Sequence, residues 1–98
     1  MIHAINSKFI IELTFDSKEK GRITRTCVPF DIGPSRRSND NIEKFHFRDL
    51  NSPDGAHTLS ILPSSIKMLE VTNNHFNPAD HITWVTNWHY PRDWGQYS

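Results

Sequence analysis

The sequence predicts a mainly β fold: a single SH3-like small barrel of about five strands, with one 3₁₀ turn and a short aromatic C-terminal extension. Three observations predict it. Ile, Val, Thr, Phe, Trp and Tyr are plentiful while alanine occurs only at Ala4, Ala56 and Ala79, a balance that fits pleated, half-buried surfaces. Apolar residues alternate with polar ones in several short runs, the period of strands with one buried face. Leu59–Val71, the densest apolar stretch, is split by Pro63-Ser64-Ser65 into two short halves. A strand, a tight turn and a second strand in that order close many small barrels.

The elements follow in order. Met1–Ser7 reads as a lead-in. Phe9–Asp16 is the clearest strand, with Phe9, Ile11, Leu13 and Phe15 on one face and Ile10, Glu12, Thr14 and Asp16 on the other. Ser17–Gly21 supplies a hairpin turn, its glycine suited to a left-handed position. Arg22–Phe30 returns as the second strand. Its register stays open between a Thr24/Thr26/Val28/Phe30 face and an Ile23/Arg25/Cys27 face, and Pro29 predicts that the strand ends at an edge. Asp31–Asn41 carries Gly33-Pro34 and Arg36-Arg37 and reads as a long exposed loop.

Glu43–Leu50 alternates again, Phe45 and Phe47 against Lys44, His46 and Arg48. Pro53-Asp54-Gly55 makes a turn. Leu59 and Ile61 then share a strand face, Pro63 stops that strand, and the serines allow one 3₁₀ turn before Ile66. Lys67–Thr72 resumes with Leu69 and Val71 on one side. Asn77-Pro78 starts a helix of one or two turns at most. The whole chain, 1–98, is expected to be one domain, with the barrel at 8–72 and the extension at 73–98.

At 98 residues such a chain buries roughly 60–65% of the surface its unfolded form exposes, enough for one economical core. The formal charge is zero, so no global field attracts nucleic acid or membrane, although residues 1–48 carry +3 and residues 49–98 carry −3. Cys27 is alone and excludes an internal disulfide. No signal pattern or membrane-length apolar run occurs, and a cytoplasmic protein without membrane partners is the expectation.

Arg25-Thr26 to Pro29, Phe45-His46-Phe47, Ile66-Lys67-Met68-Leu69-Glu70-Val71 and Phe76-Asn77-Pro78 resemble the WYL domain. That family is a small barrel found mostly in bacterial transcription factors and defence-associated proteins. The resemblance covers about half the chain and implies a small barrel and a nucleic-acid or nucleotide-binding regulatory role in a bacterial protein. Phe45-His46-Phe47 stands where the family has Trp-Tyr-Leu, and Ser65 stands where its arginine precedes the last isoleucine. The family's binding residues therefore do not transfer position by position.

Four constellations carry possible chemistry. Arg36 and Arg37, joined by Arg25 and Arg48 if the loop folds over the strands, would form an anion site. The bland alternative is a solvated loop balanced by Asp31, Asp40 and Glu43. The tail holds Trp84, Trp88, Trp94, Tyr90 and Tyr97, either a lid over an open barrel end or a contact surface, with Trp88 and Trp94 as its anchors. His75, His81 and His89 match no zinc spacing. Cys27 reads as an inert buried thiol, and no catalytic motif is present. The expectation is a non-enzymatic binding or accessory module without cofactor or metal. A protein partner or self-association is its expected contact, with nucleic acid as the alternative and a metal protein or small enzyme using the histidines as a second one.

Overall fold

The structure is a computed structural model and describes residues 1–35, 40–51 and 57–98. It contains one short helix, α1 (Ile2–Ser7), and five strands: β1 (Phe9–Ser17), β2 (Gly21–Pro34), β3 (Glu43–Asp49), β4 (His57–Ile61) and β5 (Ile66–His75). Single 3₁₀ turns lie at Pro63–Ser65, Pro78–Asp80 and Gly95–Tyr97. All strands join one antiparallel sheet in the order β4-β3-β2-β1-β5. The predicted strand–3₁₀–strand seam is present, with Pro63 opening the turn and β4 and β5 at opposite edges of the sheet. Among the described residues no ladder joins those edges, so the sheet is open and the predicted barrel closure is corrected.

The first face is mainly hydrocarbon, with the Arg25–Asp49 ion pair beside it. Ile11, Leu13 and Phe15 of β1, Cys27 of β2, Phe47 of β3 and Ile61 of β4 form one buried cluster, flanked by Leu69 and Ile66 of β5. Since all five strands contribute, the sheet must curl around this face. The pairing Ile11↔Cys27, Leu13↔Arg25 and Phe15↔Ile23 settles the register that the sequence left open.

The second face is covered by the tail. Val28 and Phe30 of β2 pack with Ile5 of α1 and with Phe76, Ile82 and Trp94 from beyond the sheet. The rings thus cover a sheet face, where an open barrel end was expected. Met1–Ser7, expected as a lead-in, holds helix α1, whose Ala4 enters the first cluster and Ile5 the second. Lys8 ends it in the left-handed conformation, φ 59°. With six residues and no side-chain cap, it depends on this packing and leaves little local signal.

Pro29 does not end β2. That strand is central and runs on to Pro34, taking in the first residues of the expected loop. Proline is tolerated because a bulge falls there: Pro29 pairs with Phe47, yet Asp31 pairs with His46, leaving Phe30 as the extra residue. The bulge sets Phe30 and Asp31 beside each other on the second face, which a regular strand would not allow. At the hairpin, Gly21 takes φ 71° as the turn chemistry predicts. Asn77 caps the Pro78 turn by accepting from the Ala79 amide at 3.1 Å, and that helix ends after one turn. The expected turn at Pro53-Asp54-Gly55 lies outside the described residues.

Candidate functional site

The bulge creates the anchor on which the tail hangs. The Asp31 carboxylate is buried and accepts from the Ile32 amide at 2.9 Å, the His89 and Tyr90 amides at 2.9 Å each and Arg92 Nη2 at 3.0 Å. The Arg92 side chain is 0% exposed. Its guanidinium carbon lies 4.3 Å from the Trp88 ring centroid and 4.5 Å from that of Trp94, a cation held between two π faces. It also donates to the carbonyls of Phe30 and Tyr90. Burial pushes the Arg92 pKa down to about 10, with Asp31 opposing the fall, so the group keeps its charge at neutral pH. Trp94 completes the anchor by donating its indole N–H to the Ile5 carbonyl at 2.9 Å.

Anchoring at residues 89–92 leaves the segment before it standing over the sheet. Between that segment and the second face of β3 and β4 lies a cleft of about 400 Å³. Its sheet side is His46 of β3 with Thr58 and Ser60 of β4, and its tail side is Trp84, Val85, Asn87, Trp88 and His89. Phe30, Asp31, Pro34 and Ser35 close it from β2. Trp84 is 46% exposed and Val85 96% exposed.

Two histidines set its polar geometry. His46 Nε2 lies 2.8 Å from the Gly33 carbonyl and must donate there. In the neutral imidazole Nδ1 then accepts from the Ser60 hydroxyl, 2.8 Å away. His89 Nε2 donates to the Pro34 carbonyl at 2.8 Å. A Cβ on Gly33 would sit 2.6 Å from the His89 ring, so only glycine lets the tail approach β2 here. Ser60 and His46 stand at nucleophile–base distance. They are direct cross-strand partners, and the histidine's other nitrogen is committed to holding β2. The arrangement orients a hydroxyl toward the cleft.

Of the four predicted arginines, the two in described strands lie on opposite faces of the sheet. Arg25 shares the first face with Leu13, lies 3.7 Å from buried Asp49 and donates to the Asn51 carbonyl at 3.1 Å. Arg48 faces the opposite way, paired with Val28 on the second face, and its buried Nε has no hydrogen-bond partner among the described residues. Arg36 and Arg37 lie outside the described residues. Trp94 is interior, and Trp88, which donates to the Tyr97 carbonyl at 2.7 Å, lines the cleft.

The structure adds Trp84, His46, Thr58, Ser60, His89, Asp31 and Arg92 to the residues that matter. The alternation of residues 43–50 placed His46 on the correct face. Nothing local ties Asp31 to Arg92, which stand 61 residues apart in the chain.

Among the described residues no group of three or more His, Cys, Asp or Glu is placed to hold a metal ion. His75 packs on Phe9 at 4.3 Å and His81 on Phe76 at 6.3 Å. Cys27 is buried, and burial, with Asp49 and Glu12 nearby, pushes its thiol up to about 12. That is the opposite of a reactive cysteine. Among the described residues no helix is long and apolar enough to cross a membrane. No family model, curated protein or solved structure matches this chain.

Proposed function

We propose that the protein is a non-enzymatic binding module whose contact surface is the cleft over β3 and β4. One observation carries this reading: Trp84 and Val85 stay exposed at the rim of a 400 Å³ cleft, while Phe76, Ile82 and Trp94 of the same tail are buried. A large apolar side chain left at the mouth of a concave site, with a few fixed polar groups inside, is the composition of a binding site. The described lining contains no Lys or Arg, and the charge of Asp31 is matched by Arg92. An uncharged ligand suits such a lining better than a polyanion, which favours a protein partner over nucleic acid.

The test is titration of isotope-labelled protein, followed by amide and indole NMR shifts, with two probes: a pool of blocked short peptides and an oligothymidylate. Peptide-induced shifts centred on Ser60, His46 and the Trp84 indole, abolished by Trp84→Ala, are the expected result. Shifts from the oligothymidylate that weaken with salt and vanish in Arg36→Ala/Arg37→Ala would transfer the function to nucleic acid and the predicted arginines. If neither probe moves a cleft resonance, the reading fails.

A further inference from the structure

Among the described residues the sheet ends in two free edges, and only one of them is defended. The β5 edge has two register irregularities against β1 and carries Lys67 and Glu70, and its Asn74 amide is satisfied by Thr72 Oγ1 at 3.1 Å. Bulges and charges of this kind keep other strands from pairing. The β4 edge has none of them. Its register with β3 is unbroken from His57 to Ile61, and its residues His-Thr-Leu-Ser-Ile include no Lys, Glu, Asp or Pro. No backbone hydrogen bond from another described segment reaches it. Alternate residues of β4 therefore point N–H and C=O groups outward, repeating every 6.8 Å or so.

The cleft lies beside this undefended edge. Thr58 and Ser60 of β4 line it, so a strand added to β4 would place alternate side chains next to them, under Trp84 and Val85. Resting on the cleft as the contact surface, we propose that the ligand is an extended peptide segment of another protein. It pairs with β4 as a sixth strand and sends one or two large uncharged side chains into the cleft. Backbone pairing supplies affinity, and the cleft selects the side chain. The rival occupant, β4 of a second copy, fits less well. Antiparallel self-pairing about Leu59 sets Thr58 against Ser60 of the other copy, and side chains that small leave 400 Å³ unfilled.

A random heptapeptide phage library panned against the whole protein supplies the probe, and the strongest peptide is then synthesised as a series with single backbone N-methyl groups. The expected result is alternation. N-methylation at every second residue weakens binding at least about tenfold, one hydrogen bond with its stranded partner, while the residues between tolerate it. Thr58→Lys, at an exposed position, and Trp84→Ala each weaken binding, with unchanged circular dichroism. A peptide that needs Trp84 but shows no alternation overturns strand addition and leaves the cleft as the contact surface. Selected peptides that shift neither Ser60 nor Trp84 overturn both. A dimer in sedimentation that Thr58→Lys dissociates overturns the peptide in favour of a second copy.

Discussion

The two faces of the sheet are held by different physics. The first is a mainly hydrocarbon layer to which all five strands contribute, its buried members alternating along β1 and β3, with the Arg25–Asp49 ion pair beside it. The second joins rings from beyond residue 75 to the sheet around a buried ion pair, Asp31–Arg92, with Trp88 and Trp94 against the guanidinium. A hydrocarbon layer responds to damage by degrees, because the cost grows with the volume of the cavity left behind. A buried ion pair responds all at once, because either partner left alone is a desolvated charge. The tail is thus more brittle than the sheet beneath it, and the cleft depends on the brittle part.

The comparison breaks first at Phe47. Phe47→Ala is expected to lower global stability by about 3–5 kcal/mol, with a single cooperative transition in denaturant by both tryptophan fluorescence and far-ultraviolet circular dichroism. Asp31→Ala is next, at about 3 kcal/mol or somewhat more, since it strands the Arg92 guanidinium and two tail amides. Its signature differs in kind: amides of β1–β3 keep their slow hydrogen exchange while tail amides lose protection. Loss of protection throughout the sheet would show that the tail is part of the core, ending the distinction drawn here.

A smaller effect comes from pH. Burial, then the charge of Arg48, holds the His81 pKa below its ordinary 6.5, with Asp80 opposing. The folded state therefore favours neutral His81. As pH falls through 6.5 toward the lowered value, the unfolded chain binds the proton first and stability declines. Melting temperatures measured from pH 7.5 to 5 should fall, and His81→Gln should flatten the part of that slope due to this residue. The smallest change belongs to Trp84→Ala, expected to alter stability by no more than about 0.5 kcal/mol, as for a rim residue outside the packed cluster. A larger loss in thermal denaturation would move Trp84 from the contact surface into the core.

The same contrast explains what was legible in the sequence. The first face could be read because its signal is local: Phe9, Ile11, Leu13 and Phe15 announce a strand by alternation, and Pro63-Ser64-Ser65 announces the seam. The Asn77 cap was readable for the same reason. Pro29 misled because its rule assumes a regular ladder, whereas the bulge at Phe30 removes the conflict. α1 was invisible because its stability comes from Ala4 and Ile5 meeting two different clusters. The candidate site was the least legible part. Asp31 looked like a loop counter-charge and no pattern singled out Arg92, and only the fold brings them to 3.0 Å. Arg25 and Arg48 looked like partners, yet the parity of two strands sets them on opposite faces.

The Asp31–Arg92 contact also carries a consequence for the order of events during synthesis. Every strand residue, 9–75, leaves the ribosome before Arg92 does. The nascent sheet can curl around its first face while Phe30 and the Asp31 carboxylate wait on the second for the cover that Phe76, Ile82, Arg92 and Trp94 add to Ile5. That cover arrives after every strand, so slow synthesis of residues 76–94 lengthens the time in which two nascent copies can stick together.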